Sequence, residues 1–247
     1  MDFSYVDDWT DEEAGPAIED VGEGYRNIWV GAEATGDGLH PATLETLGQA
    51  RELADQIGVY VYGVLLGEAK EPLGQEMIAL GADKVLVAND PSLAEYQPEY
   101  HCGALASLVE TYRPEILLLP ATAWGNDLAP RLAQRLNTGL ISHCIKLDID
   151  MSERLLLGTF AVLGGEVFHT VACPSAMPQM ATLQPGSFRT PFKDSYRSGD
   201  IETVEVDLSA LEARLEWIDF AAVADLPAVP LSKARIVVAA GRGMGDA

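Results

Sequence analysis

Four short apolar runs that alternate with amphipathic segments are the feature that most constrains the fold of this chain. The runs are NIWVGAE (27–33), VYVYGVLLG (59–67), KVLVAN (84–89) and EILLLPA (115–121). They are rich in leucine and β-branched residues and lack polar alternation, which predicts strands covered on both faces. Four segments with helical periodicity follow them: 41–58, 71–82, 98–112 and 126–139. Crossover connections of this length require parallel pairing, so we predict an α/β fold with a doubly wound, mainly parallel sheet and helices on both faces.

The remaining segments indicate added strands and flexible ends. After Gly139 the sequence is strand-like, punctuated by Gly and Pro, so we expect antiparallel strands that extend the same sheet. The alternation of Ile201, Val204 and Val206 predicts one more strand. We divide the chain into an acidic flexible arm (1–24), an N-terminal α/β domain (25–223), a linker with two prolines (224–235) and a last segment (236–247).

The charge of the chain argues against several classes of function. The formal net charge is −22, from 38 acidic and 16 basic residues. Such a surface repels nucleic-acid phosphates and anionic lipid head groups, so we expect no nucleic-acid partner. No apolar run approaches the roughly 20 residues that cross a bilayer, and residues 1–24 lack the features of a secretion signal. We therefore expect a cytoplasmic protein without membrane insertion. A solubilising surface and an adaptation to high salt both explain the acidity.

One strand–loop–helix junction is the strongest local candidate for a ligand site. The segment LLLPATAWGNDLAPRLAQRL (117–136) carries a Gly-bearing loop in which Asn126 or Asp127 can cap the following helix. A helix N-terminus at the carboxyl edge of a parallel sheet offers free N–H groups and a positive dipole end, which suits a phosphate. The segment is neither a Walker loop nor a G-x-G-x-x-G turn, and Asp127 already supplies an anion. A plain capped helix is therefore favoured over a ligand site.

The histidines and cysteines form no catalytic or metal-binding pattern. The three cysteines, Cys102, Cys144 and Cys173, lack C-x-x-C spacing. They are most simply interpreted as small core residues. His143 and Cys144 are adjacent in an extended segment, so their side chains are expected to face opposite ways. His101 is expected to point away from Cys102 on a helix. His169 lies in an apolar strand and is expected to be a hydrogen-bonded core residue. We predict no catalytic centre and no metal site.

Four segments, taken in order, resemble the α subunit of electron-transfer flavoproteins, a family that includes the FixB proteins. They are IWVGAE with LHPATLETLGQARELADQIG, PEILLLPATAWGNDLAPRLAQRLNTGLIS, PQMATLQPGSF and ARIVVAAGRGMG, and they span residues 28–245. The second is similar to the most recognisable segment of the family. Each motif is weak alone, whereas the ordered set is specific.

The resemblance implies a second domain of which this sequence holds only a stub. In the family, a flavodoxin-like second domain begins at the G-R-G strand and binds FAD between itself and the β subunit. By this resemblance, Gly241, Arg242 and Gly243 are expected to bind the cofactor, with Arg242 near the FAD phosphates or ribityl chain. Residues 236–247 are then the first strand and turn of that domain. One strand cannot enclose a dinucleotide, so FAD is expected to be bound mainly by the absent second domain and the partner subunit. Truncation, a natural short variant and a second half on a separate chain are all open, and the break inside a motif favours truncation.

The resemblance also implies a function and partners. With an electron-transfer flavoprotein β subunit as its heterodimer partner, such a protein takes electrons from an acyl-CoA dehydrogenase, as in fatty acid β-oxidation, and passes them through FAD to a quinone oxidoreductase. It is an electron carrier rather than an enzyme with its own active site, because the redox chemistry belongs to the flavin. AMP, where the family binds it, lies in the partner subunit. The alternative is a flavin-free scaffold or a nucleotide-sensing α/β module that uses the cap at Asn126 and Asp127.

Three departures from the family pattern remove or change charge. His143 stands where relatives often have Asp, and Gln184 stands where Arg is common. Phe160-Ala161 replaces an Arg-Pro or Arg-Thr pair before the Gly164-Gly165 step. Ordinary drift and a specialised partner or electron route both explain these departures.

Overall fold

The computed structural model describes residues 24–36, 38–67, 70–219, 231, 234 and 236–245. The chain divides into a large unit, Met1–Leu215, and a small unit, Glu216–Ala247. The predicted arm and most of the predicted linker lie outside the described residues, so both assignments stay predictions. The division after Leu215 falls inside the predicted 25–223 domain, whose limits also stay a prediction.

Regular structure in the described residues follows the predicted alternation. In chain order the strands are β1 (Ile28–Ala32), β2 (Ala34–Thr35), β3 (Gly38–Leu39), β4 (Val61–Leu66), β5 (Lys84–Ala88), β6 (Ile116–Pro120), β7 (Leu140–Cys144), β8 (Lys146–Asp150), β9 (Leu155–Val162), β10 (Val167–Val171), β11 (Gln179–Leu183) and β12 (Asp200–Val204). The helices are α1 (Pro41–Ile57), α2 (Glu71–Ala79), α3 (Pro98–Tyr112) and α4 (Ala123–Leu136). The four leading strands and four helices are confirmed, although α4 begins at Ala123 rather than at residue 126.

The main sheet is wholly parallel and is covered on both faces. Its strand order is β12-β5-β4-β1-β6-β11-β7. In β1, Ile28 and Val30 pack with α1 and α2 on one face, while Trp29 packs with α3 and α4 on the other. Every residue of β1 is therefore buried, which is why the strand lacks polar alternation. None of these four helices is long and apolar enough to span a bilayer.

The segments after Gly139 join two different sheets. β7, β11 and β12 extend the main sheet in parallel, whereas β8, β9 and β10 form a separate antiparallel sheet. The prediction of added antiparallel strands is confirmed, but the expectation that they extend the main sheet is wrong. The reason is that the chain leaves the main sheet after β7 and returns beside it in the same direction, so β11 pairs in parallel with both β6 and β7.

The chain reaches β12 through a long loop, residues 184–199, rather than through a helix. The N–H of Gly186 donates to the carboxylate of Glu45 on α1 at 2.8 Å. A Cβ on Gly48 would lie 2.6 Å from the carbonyl oxygen of Arg189. The loop therefore packs directly on α1 and needs a glycine there before it delivers β12 to the far edge of the sheet.

The strand β10 is exposed along its whole length. All five of its residues are accessible, and its only strand neighbour among the described residues is β9. The expectation that His169 is a hydrogen-bonded core residue is therefore wrong: this side chain is exposed and stacks on Phe160, with ring centroids 6.0 Å apart. An apolar strand usually indicates burial, but β10 lies at an open sheet edge where no other described element covers it.

The small unit has no described strand. Residues 236–241 carry no strand hydrogen bonds, and Ile236 and Val238 are 84% and 91% exposed. The described residues 236–241 thus contain no assigned strand, and the first strand of a second domain stays a prediction. A short 3-10 helix, Arg242–Met244, follows. The assignment of this segment to a flavin domain stays a prediction.

Candidate functional site

The candidate site lies at the carboxyl edge of the main sheet, between β1 and β6. The chain leaves β1 toward β4 on one side, while β6 lies on the other side, so the strand order reverses at this point. In open α/β sheets, ligands bind in the crevice formed at such a reversal. The loop after β1 and the N-terminus of α4 form its two walls.

The N-terminus of α4 is capped by Thr122, not by Asn126 or Asp127. The Oγ1 of Thr122 accepts a hydrogen bond from the N–H of Gly125 at 3.2 Å. The predicted cap is wrong because the helix starts directly after the strand, which places Asn126 and Asp127 inside its first turns. A threonine three residues before a glycine amide, T-A-W-G, was the sequence signal for the true cap.

Gly125 permits an unusually close approach between α4 and β6. A Cβ at this position would lie 1.8 Å from the carbonyl oxygen of Pro120. Glycine is therefore required by the tight strand-to-helix turn itself. The same turn holds Thr122 against the end of β1, so the local backbone positions the cap.

Glu33 occupies the position that a bound anion would take. Thr122 Oγ1 donates to Glu33 Oε2 at 2.5 Å, which brings this carboxylate to the N-terminus of α4. The backbone N–H of Glu33 donates to the hydroxyl of Thr43, which fixes the end of β1. A carboxylate at this place already satisfies the positive end of the helix dipole and disfavours a phosphate. Sequence reasoning missed Glu33, because its partner lies 89 residues away.

The crevice beside this cap has a volume of about 450 Å³. Its polar and aromatic lining comes from Glu33, Lys70, Glu95, Tyr96, His101 and Trp124. Burial lowers the pKa of His101 to about 4, so this imidazole is neutral at physiological pH. With one lysine facing the carboxylates of Glu33 and of a second glutamate, Glu95, the crevice does not concentrate positive charge for a nucleotide phosphate.

Asp127 and Tyr96 form a structural pair beside the crevice. The hydroxyl of Tyr96 donates to Asp127 at 2.7 Å, and Arg131 donates two hydrogen bonds to the same carboxylate. Arg131, followed by the tyrosine, holds the pKa of Asp127 below its ordinary value. Burial, reinforced by Asp127, raises the pKa of Tyr96. Asp127 thus ties α4 to the loop before α3 and is not free to bind a ligand.

The histidine and cysteine positions agree with a structural role. His143 is exposed and Cys144 is fully buried, so the prediction that they face opposite ways is confirmed. Burial raises the pKa of the Cys144 thiol to about 12, which keeps it protonated and unreactive. Cys102 is also buried, whereas Cys173 is half-buried. Within the described ranges, no group of three or more His, Cys, Asp or Glu side chains could hold a metal ion.

The three departures from the family pattern lie together in space. His143 Nδ1 and Gln184 Oε1 are 2.8 Å apart, which joins two of them by a hydrogen bond. His143 also lines an open apolar concavity of about 560 Å³ with Phe160 and Ala161, the third departure. This concavity lies between β7, at one edge of the main sheet, and the antiparallel sheet. None of its lining side chains is acidic or basic apart from His143.

The predicted cofactor residues Gly241, Arg242 and Gly243 lie in the small unit, and their assignment to FAD binding stays a prediction. Gly241 precedes the 3-10 helix that contains the other two, and all three are exposed. A Cβ added at Gly241 or Gly243 would meet no atom within 4 Å.

Comparison with known proteins gives the family. The sequence profile described as "Electron transfer flavoprotein domain" matches residues 28–209. The electron transfer flavoprotein subunit alpha of Thermoanaerobacterium thermosaccharolyticum is 40% identical over 221 residues, which cover 90% of this chain and 66% of the relative. Protein FixB of Rhizobium meliloti is 37% identical, with 90% of this chain and 64% of the relative covered.

A third relative carries a more specific name. The acryloyl-CoA reductase electron transfer subunit beta of Anaerotignum propionicum is 32% identical, covering 89% of this chain and 66% of the relative. The chain spans about two thirds of the length of the relatives it matches. From the profile match and these identities, the chain belongs to the electron transfer flavoprotein domain family, and within that family it is similar to the α subunits and FixB proteins.

Proposed function

We propose that this chain is the α-type subunit of a cytoplasmic electron-transfer flavoprotein. In this proposal it forms a heterodimer with a β subunit and serves in electron transfer from an acyl-CoA-type dehydrogenase through FAD to a quinone oxidoreductase. The flavin supplies the redox chemistry. This chain contributes an α/β platform that binds the partner subunit and orients the protein around the cofactor. FAD is held mainly by the family's second domain and the partner subunit, with Gly241, Arg242 and Gly243 as the cofactor-binding residues of this chain. AMP, if bound, belongs to the partner.

The observation that carries this proposal is the exposed apolar surface around β10. Phe168 is 60% exposed, and Leu163, Val167 and Val171 are 75%, 40% and 37% exposed. The outer edge of β10 also leaves backbone donors and acceptors available to another chain. A patch of this kind in a soluble protein marks an interaction surface. Val171 also lines the apolar concavity that contains His143 and Phe160.

The chemistry of this surface favours a different partner over a second copy of the chain. Neither β10 nor the concavity contains an acidic or lysine or arginine side chain. The whole chain, in contrast, carries a net charge of −22, so two copies repel each other at long range. A β subunit with an uncharged apolar face fits this surface better.

The names of the relatives support the choice of redox partners. The Anaerotignum propionicum relative is named as an electron transfer subunit of a CoA-thioester reductase. This name is consistent with a donor or acceptor that acts on acyl-CoA thioesters. The quinone oxidoreductase rests on the family resemblance alone.

A matched pair of substitutions tests the interface. Phe168→Asp places a charge at an exposed aromatic position of β10, while Tyr60→Asp places one at an aromatic position of similar exposure, 63%, directly before β4. We expect Phe168→Asp to abolish co-purification with a coexpressed β-type subunit, while Tyr60→Asp retains it. Equal melting temperatures of the two variants exclude unfolding as the cause. Undiminished complex formation by Phe168→Asp would contradict the proposed interface.

The alternative of a flavin-free scaffold or nucleotide-sensing module has less support. Its site would be the crevice at α4, where Glu33 already occupies the anion position. Isothermal titration of this chain with AMP, ADP and FAD separates the two functions. We expect no binding of AMP or ADP; tight binding of AMP without a partner would favour the sensing module.

A further inference from the structure

A cluster of aromatic side chains crosses the amino edge of the main sheet. Trp29 is 1% exposed and lies between two half-buried tyrosines. Its ring is stacked on Tyr62, with centroids 6.3 Å apart and planes at 13°, and tilted against Tyr112, at 5.8 Å and 55°. Three oxidisable rings are thus in contact, with the tryptophan in the middle.

The two tyrosines differ in what their hydroxyl groups face. Tyr112 donates a hydrogen bond to Glu202 Oε1 at 3.0 Å. Glu202 Oε2 is 2.5 Å from Lys84 Nζ, and the Glu202 side chain is 41% exposed. Within the described residues, Tyr62 has no carboxylate partner, and its ring instead faces Lys84, whose Nζ lies 5.8 Å from the ring centroid. Only Tyr112 therefore has a base in place to take its proton.

The charges around Glu202 keep that base ionised. Lys84, followed by Tyr112, lowers the pKa of Glu202. Burial, followed by the hydrogen bond to Glu202, raises the pKa of Tyr112, so the phenol keeps its proton until it is oxidised. Among the described residues, the other titratable groups that act on this cluster are Lys84 and Tyr62. Proton release from Tyr112 then requires loss of an electron from the same ring.

We propose that Trp29 and Tyr112 form a relay that carries one-electron oxidising equivalents out of the core to the surface at Glu202. The oxidant is a one-electron acceptor of the radical class, such as the carbonate radical. Trp29 gives it one electron and becomes a radical cation. Tyr112 then gives one electron to Trp29 and its phenolic proton to Glu202, which leaves neutral Trp29, a Tyr112 phenoxyl radical and a protonated Glu202.

The relay closes with a soluble reductant of the thiol or ascorbate class. The reductant gives one electron to the Tyr112 radical, and Glu202 returns the proton, so the starting state is restored. Because Glu202 is partly exposed, its proton also exchanges with water. The relay is separate from flavin electron transfer, and neither function depends on the other.

Flash photolysis of this chain tests the relay. Photogenerated ruthenium(III) tris-bipyridine is the oxidant, and transient absorption distinguishes tryptophanyl from tyrosyl radicals. We expect Tyr112→Phe to lengthen the lifetime of the tryptophanyl signal several-fold and to move oxidation products to Trp29, as mapped by mass spectrometry. Tyr62→Phe is the matched control, because it removes a hydroxyl from the other ring in contact with Trp29, and it should leave both signals unchanged.

Two further variants separate the relay from direct oxidation of exposed tyrosines. Glu202→Gln keeps a hydrogen-bond acceptor but removes the base, so we expect slower decay of the Trp29 radical. Trp29→Phe should reduce oxidation of Tyr112 several-fold. Unchanged Tyr112 oxidation in Trp29→Phe, or equal radical lifetimes in Tyr112→Phe and Tyr62→Phe, would overturn the proposal. Circular dichroism melting curves identify any variant that fails to fold. If Trp29→Phe or Glu202→Gln fails to fold, the comparison of Tyr112→Phe with Tyr62→Phe alone tests the relay.

Discussion

The substitution Gly125→Ala tests whether the turn between β6 and α4 requires glycine. In an ordinary helix, this change stabilises a protein by about 0.5–1 kcal/mol, because alanine loses less backbone entropy on folding. Gly125 lies in the first turn of α4 with its backbone in a region that alanine can adopt, so propensity alone predicts a gain. The structure predicts the opposite sign.

The magnitude follows from the distance to the strand. A Cβ at Gly125 would lie 1.8 Å from the carbonyl oxygen of Pro120, whereas real Cβ atoms essentially never come closer than 3.0 Å to such an atom. The gap must therefore open by 3.0 − 1.8 = 1.2 Å. The obstacle is the backbone of Pro120 at the end of β6, which is held in the sheet by its pairing with Leu183 of β11 and cannot rotate away. Overpacking of this kind costs about 1–3 kcal/mol or more, which outweighs the propensity gain.

Urea denaturation followed by circular dichroism measures the result. We expect Gly125→Ala to lose about 1–2 kcal/mol, which corresponds to a decrease of roughly 2–8 °C in melting temperature for a protein of this size. Gly38→Ala is the control, because a Cβ there meets no atom within 4 Å. A Gly125→Ala variant as stable as the parent chain, or more stable, would refute the proposed close contact.

Two further predictions concern buried polar groups. His101 has a folded-state pKa of about 4 against an ordinary value of 6.5, so its contribution to stability is present above pH 6.5 and is lost as the pH falls toward 4. The loss in the free energy of unfolding reaches about 3 kcal/mol. His101→Gln should therefore flatten the plot of unfolding free energy against pH between pH 6.5 and 4, and an unchanged slope would exclude His101 as its source. Arg154 donates two hydrogen bonds to Glu115, which is 1% exposed. Arg154→Met should therefore cost about 3 kcal/mol in urea denaturation, near the lower limit for breaking a buried pair because the arginine is partly exposed. Lys146→Met, at an exposed pair with Asp148, should cost at most about 1 kcal/mol; equal losses in the two variants would contradict the assignment.

Most of the fold could be predicted from local pattern. The strands β1, β4, β5 and β6 are buried on both faces of the sheet. A strand in this position needs apolar residues at nearly every position, so it can be identified as a continuous hydrophobic run. Helix α3 was predicted with its observed limits because its proline start and tyrosine end border a periodic apolar face. These properties depend on neighbours within one turn or one strand. They can therefore be predicted without the tertiary structure.

The surface of β10 shows where local pattern fails. Its sequence, VFHTV, has the composition of a covered strand, yet all five residues are exposed. The composition of a strand shows that it is apolar, but not whether another part of the protein covers it.

The sequence by itself determined the α/β class, the parallel core strands, the four helices and, through ordered motifs, the family. Only the tertiary structure decided which side chains meet. Glu33 reaches Thr122 across 89 residues, and His143 reaches Gln184 across 41. The physical reason is that secondary structure depends on hydrogen bonds and burial repeated along the chain, whereas a site depends on single contacts between segments that crossover connections bring together.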